Sequence, residues 1–279
     1  MKRKVGIFID NFHMDDVFDA VRKAAEFGAD AIQFHAKNQM DPQAMTTQRK
    51  NEFNQLVKDL GMNVCAVCGD VGGFKFPETT PNNVEKTKRI IDMALEFGTP
   101  IITGHIGVIP SAPAHPRYAM MRDACGEVAM YAEKAGAYYA IESGPETSWV
   151  MRGFLEDIGS KALCVNFDTA NGVMITGENP GAAILNLRDH IKHVHIKDGV
   201  MNWFCDPEIA YGMIPDTQNL KAGHRDQRPL GQGNVPWETV FQALDTIAYN
   251  GFLTIEREGG EDRIVEIKNA VETLKTWNK

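Results

Sequence analysis

Residues 14–36 read MDDVFDAVRKAAEFGADAIQFHA. The stretch divides into an amphipathic helix, Gly28, a short turn and an apolar strand. A glycine just past a helix end supplies the left-handed residue the chain needs there without Cβ strain. The same unit recurs. TQRKNEFNQLVKDLG (47–61) leads to MNVCAVCGD (62–70), and NNVEKTKRIIDMALEFG (82–98) leads to TPIITGHIG (99–107). MRDACGEVAMYAEKAG (121–136) leads to AYYAIESG, and VPWETVFQALDTIAYNG (235–251) to FLTIERE. Gly61, Gly98, Gly136 and Gly251 occupy the place of Gly28, and in the first half they follow one another at intervals of roughly 33 to 38 residues, the length of one β-α unit.

Adding KVGIFID, ALCVNFD and HVHIKD gives eight strands alternating with helices, and no break in composition divides residues 1–279. The expectation is one domain with an α/β fold, a (β/α)8 TIM barrel. A doubly wound open sheet is the alternative, but no glycine-rich phosphate loop follows the first strand. Two stretches depart from the repeat, the proline-rich PSAPAHPRYAM after strand four and the segment 199–234, which has no clean helical period. Long irregular loops in a compact domain usually serve a site, and in a barrel both would lie on the carboxyl-end face.

The 279 residues carry 43% hydrophobic side chains, 24% charged ones and a net charge of −8, which favours solubility and disfavours nucleic acid or an anionic membrane as partner. The apolar run in MKRKVGIFID is too short for a secretory segment, and no run reaches the roughly 18 to 20 residues of a membrane span. A cytoplasmic protein is expected. Five scattered cysteines do not make a disulfide framework, and Cys65 and Cys68, within a strand rather than at a helix start, read as core packing.

Chemistry concentrates at the strand ends. Asp10, His35, His105, Glu142, Asp168, His195 with Lys197, and Glu256 recur at the carboxyl ends of strand after strand. A plain core would not place unpaired charges there, because burying one costs several kcal/mol. Strand parity turns Glu142, Asn166, Asp168, His193, His195, Lys197, Thr254 and Glu256 toward the lumen and sends Val165, Phe167, Val194, Ile196, Leu253 and Ile255 toward the helices. Three carboxylates and one imidazole meeting in a lumen need a cation between them. Oxygen-rich ligands with a single nitrogen suit Mn2+, Mg2+ or Co2+ better than Zn2+. His193, two residues deeper in its strand, reads as a hydrogen-bonded core histidine.

Glu142 in IES, Asp168 in NFDTAN, His195 in HVHIKD and Glu256 in TIERE, with RPLGQGNVPW before the seventh helix, together resemble the xylose isomerase-like TIM-barrel family of sugar isomerases and epimerases. The resemblance spans essentially the whole chain. It implies a divalent ion, Mn2+ first, held by Glu142, Asp168, His195 and Glu256 and chelating the carbonyl and adjacent hydroxyl of a sugar. It implies that Glu142 and Glu256 remove and return a proton through a cis-enediolate. His105, Asn171, Lys197 and Arg228 are the expected contacts to a sugar or keto-sugar substrate, and a homo-oligomer fits such barrels. Trp203, Phe204 and Trp237 are candidates for an apolar wall.

One position departs from the family pattern. Epimerases commonly have a histidine three residues after the ligand Asp, and here Asn171 stands there, which opens a lyase or dehydratase on a keto-sugar or inosose as the alternative. Two further readings rank lower. A zinc abasic-site endonuclease would need an Asp-x-His where this chain has Arg225, Asp226 and Gln227. An inactive sugar-binding barrel would not need both glutamates, and both are present.

Overall fold

The computed structural model describes residues 3–277. Eight parallel strands close into a barrel, and the helices between them form the outer ring. The strands are β1 (Val5–Phe8), β2 (Ala31–His35), β3 (Asn63–Cys68), β4 (Ile101–Gly104), β5 (Tyr138–Glu142), β6 (Leu163–Asp168), β7 (Ile191–Ile196) and, further along the chain, β10 (Leu253–Ile255). Each pairs with its sequence neighbour, and β1 closes the ring against β10. The expected barrel is the fold. No helix among the described residues is long and apolar enough to cross a membrane.

Local chemistry starts and stops the outer helices. Asp16 caps α1 (Val17–Glu26) by accepting from the Phe18 N–H, and Thr46 does the same for α2 (Thr47–Asp59) through Arg49. Helices α3 (Thr80–Glu96) and α4 (Pro116–Ala135) each carry proline in the first turn, where its missing N–H costs nothing. The helical layer packs onto the barrel through rings such as Phe34, Phe53 and Phe97, whose centroids lie 5.2 to 5.3 Å apart in edge-to-face pairs. Each such pair adds ~0.5–1.5 kcal/mol beyond the area it buries.

The repeat reads correctly at Gly28, Gly61, Gly98 and Gly136, all left-handed with φ of 69° to 77°, and fails at Gly251. After β7 come helix α8 (Pro207–Ala210) and then α9 (Trp237–Thr246), which ends before the expected point, with Ala248 as the left-handed residue at φ 51°. Gly251 is needed for space instead. A Cβ there would lie 2.4 Å from the Tyr249 hydroxyl oxygen. The turn after β6 is also divided, into α6 (Asn171–Ile175) and α7 (Pro180–Asn186). Helix α5 (Ser148–Ile158) precedes β6, and α10 (Arg263–Trp277) ends the described chain.

The irregular segment after β7 contains a ribbon that sequence patterning did not suggest. Strand β8 (Asp198–Met201) pairs antiparallel with β9 (Arg225–Arg228). Asp198 anchors it: the buried carboxylate accepts from the N–H groups of Gly199, Gly231 and Val235 and from Trp237 Nε1. Trp237 packs outward on Phe241 and Trp277, so it forms no wall of the lumen, while Trp203 and Phe204 are exposed at 45% and 68%. All five cysteines are buried and free, and burial pushes the Cys65 thiol up to about 12, as core packing requires.

Candidate metal centre and active site

The upper lumen is assembled by strand register. Between Val165 and Asn166 the β6–β7 pairing slips by one residue, which brings Asp168 level with His195. Thr254 of β10 lies beside His195, and Glu256 stands two residues beyond it on the same face. Glu142 ends β5 next to Asn166. Glu142, Asp168, His195 and Glu256 are all buried, and each offers one ligand atom within 4.8 Å of the others.

Each member of the tetrad is oriented by a neighbour. Asp168 Oδ1 accepts from the N–H groups of Ala170 (2.8 Å) and Asn171 (2.7 Å) as α6 begins, leaving Oδ2 to face the lumen. Glu142 Oε1 accepts from Asn171 Nδ2 at 2.9 Å, and its Oε2 from Asn166 Nδ2 at 3.2 Å. Gln33, on the lumen face of β2, serves two imidazoles. Its Oε1 lies 2.9 Å from His195 Nε2 and 3.0 Å from His193 Nε2, while its own Nε2 donates to Thr103. An amide oxygen only accepts, so both rings carry a proton on Nε2 and His195 Nδ1 is turned to the carboxylates. Nδ1 is 3.4 Å from Glu142 Oε2 and 3.2 Å from Glu256 Oε2. His193 is a hydrogen-bonded residue of the lumen floor.

Charge in this closed space is balanced by protons and one lysine. Burial alone would lower the His195 pKa, but the Glu256 and Glu142 carboxylates outweigh it and push it up to about 10. Burial pushes the Asp168 carboxyl up against the pull of Lys197, whereas Lys197 and His195 overcome burial at Glu256 and hold it low. The Lys197 ammonium pairs with Glu256, with Asp168 Oδ2 at 3.3 Å and with the half-exposed Glu258 at 3.2 Å. Asp168 Oδ2 and Glu256 Oε2 are buried, and the Lys197 ammonium meets both as ion pairs without hydrogen-bond geometry. Such oxygens are costly unless something else satisfies them. A divalent cation fits: three hard carboxylates and one imidazole converge with ligand atoms spare.

Of the other expected contacts, Asn171 and Lys197 touch the tetrad, as does His105, whose Nε2 is 3.2 Å from Glu142 Oε1 and whose Nδ1 faces Asp70 Oδ2 at 3.7 Å. Arg228 does not join them. It lies at the surface of β9 and pairs with Asp226 at 2.8 Å, because ribbon alternation turns Arg225 and Gln227 inward instead. Gln33, Asp70, Arg225 and Glu258 were missed at the sequence level. Only Gln33 left a signal, a lone amide inside an apolar strand.

The sequence model of the xylose isomerase-like TIM barrel family matches residues 21–277. The chain belongs to this family. Over 147 residues it is 22% identical to an inosose dehydratase of Clostridium beijerinckii, a match covering 50% of this chain and 47% of that protein, so the chain spans about half the length of this relative. The solved structure of a xylose isomerase domain protein from Planctomyces limnophilus superposes with a TM-score of 0.79 at 23% identity, covering 99% of this chain and 96% of that one. A D-tagatose 3-epimerase-like protein gives 0.74 at 20%, covering 99% and 98%. At these identities the structural likeness is one of fold.

The orientation of His195 depends on Gln33. Gln33→Leu removes the acceptor of both imidazoles, and the Mn2+ Kd is expected to rise roughly 10–100-fold by calorimetric titration. An unchanged Kd would show that His195 is oriented without it.

Proposed function

We propose that the protein is a divalent-metal-dependent sugar isomerase or epimerase. The observation that carries this reading is the tetrad itself, three buried carboxylates and one imidazole converging within 4.8 Å. Glu142, Asp168, His195 and Glu256 would hold the ion, Mn2+ first among the candidates. When bound, such an ion supplies Lewis acidity that stabilises negative charge on substrate oxygens. The chain's own groups do the proton work. One of Glu142 and Glu256 takes the proton from the carbon beside the carbonyl, giving an enediolate, and the other returns one. Asn171 and Asn166 fix the two oxygens of Glu142, so its basic lone pairs are aimed before substrate arrives. The near-complete burial of the four groups keeps water from quenching the intermediate.

A second reading, elimination of water from a keto-sugar or inosose, is favoured by one feature. His105 lies between Asp70 and Glu142, and although burial opposes its charge, those carboxylates raise its pKa well above the usual value. A protonated imidazole at the mouth of the site suits a leaving hydroxyl, which Asn171 cannot protonate. The likeness to an inosose dehydratase over half the chain points the same way.

The test is to strip the protein with a chelator, restore Mn2+ and incubate it with ketoses, inososes and 3-keto sugars in D2O. NMR should show Mn2+-dependent entry of deuterium beside the carbonyl, with the product separating epimerisation from elimination. Turnover that survives chelation, or that leaves that carbon protonated, would overturn the proposal.

A further inference from the structure

One cation near the mouth of the barrel faces no acid. Strand β9 alternates, with Asp226 and Arg228 turned to solvent and Arg225 and Gln227 to the other side. That inner side faces the site. Gln227 Nε2 donates to Glu258 at 2.7 Å, and its Oε1 accepts from the N–H groups of Glu258 and Gly259, just past Glu256. The Arg225 guanidinium lies 5.3 Å from the centre of the Tyr211 ring. That ring is 6.5 Å from His105, which reaches Glu142. A continuous line of contacts therefore runs from Arg225 to the tetrad.

Arg225 Nη1 is buried and has no hydrogen-bond partner. Among the described residues no carboxylate stands within ion-pair distance of it, although the chain holds 37 acidic residues against 29 lysines and arginines. The other inward cations of these loops are committed: Lys197 to three carboxylates, Arg257 to Glu266 and Arg117 to Glu208. The guanidinium sits against the Tyr211 ring and beside its hydroxyl, which leaves Nη1 to a ligand. A planar fork of donors matches two oxygens of one anionic group, which a sugar hydroxyl does not.

We propose that Arg225 makes the pocket selective for a sugar substrate that carries an anionic group, a carboxylate or a phosphate, away from its reacting carbons. The proposal rests on the reading that the barrel mouth receives a sugar, and it narrows the substrate class to acidic sugars. A guanidinium that only braced Tyr211 would be indifferent to charge on the ligand.

The experiment is calorimetric titration of the Mn2+-loaded protein with D-fructose, D-fructuronate and D-fructose 6-phosphate, which carry a hydroxyl, a carboxylate or a phosphate at one end of a common skeleton. At least one acid should bind about tenfold or more tighter than fructose, and which acid does so names the anion. Arg225→Met should bring that acid within about twofold of fructose, with Arg225→Lys, which keeps the charge and loses the fork, in between. Thermal unfolding of each variant checks that it folds, and the lysine variant carries the test should the methionine one fail to. Equal affinity for all three probes, absence of binding by all three included, overturns the proposal. So does a preference that survives in Arg225→Met. These readouts need no turnover, so they fail separately from the deuterium exchange that tests the reaction.

Discussion

Glu142→Gln and Glu256→Gln should each lower turnover by roughly 10²–10⁴-fold, the usual contribution of a positioned acid or base. Glutamine keeps the volume of the side chain and removes its proton affinity. Each substitution also removes a carboxylate proposed to hold the ion, so two causes of loss must be separated. Weakened Mn2+ binding is overcome by raising Mn2+ until activity saturates, whereas a missing base is not. The two glutamates differ in setting. Glu142 is clasped by Asn171, Asn166 and His105, and opposing burial, His105 and His195 hold its carboxyl well below the usual range. Glu256 turns Oε2 to both Lys197 and His195. In D2O the variant that lacks the proton donor should still wash out the substrate proton without forming product, and the variant that lacks the base should do neither. That asymmetry assigns the roles. If both variants kept more than about a tenth of turnover at saturating Mn2+, with circular dichroism unchanged, the two-glutamate chemistry would be wrong.

The barrel and its tetrad were legible because both follow from short-range pattern. The helix–glycine–strand unit repeats within a few dozen residues, and a period of two tells which side chains share the lumen once a strand is recognised. Legibility ended where partners lie far apart in the chain. Gln33 meets His193 and His195 from about 160 residues away, and the lone amide in AIQFH marks a polar lumen position without naming its partners. The ribbon was invisible for a related reason. Arg225–Arg228 is RDQR, with no apolar alternation, and it becomes a strand only by pairing with residues 198–201. Without a strand there is no parity, so the sequence offers no way to see that ribbon pairing turns Arg225 inward and leaves Arg228, the contact the resemblance implies, at the surface. Gly251 misled because its sequence neighbourhood matches a helix cap, while its true constraint is the Tyr249 ring folding back on it.

A second large effect should appear as a pH-dependent loss of stability that depends on Glu146. This side chain is 8% exposed, behind the β5–β6 wall, beside a cavity of about 10 Å³, the lower limit for one water. Oε2 accepts a single long hydrogen bond from the Ile109 N–H at 3.3 Å, and Oε1 has no partner. Burial pushes the carboxyl up to about 8, with the Ile109 N–H and His105 pulling weakly the other way. The folded chain therefore keeps this proton after the unfolded chain has released it. Stability is fully present below the unfolded pKa, falls as pH rises past it and levels off above about 8. The total loss is on the order of 4–5 kcal/mol. Glu146→Gln is neutral at every pH and should lack this slope. Urea unfolding at pH 6, 7, 8 and 9 should show the variant gaining on the parent step by step up to pH 8, then running parallel to it. Parallel stability curves for parent and variant across the whole range would mean that the Glu146 carboxyl ionises in the folded protein as readily as in water.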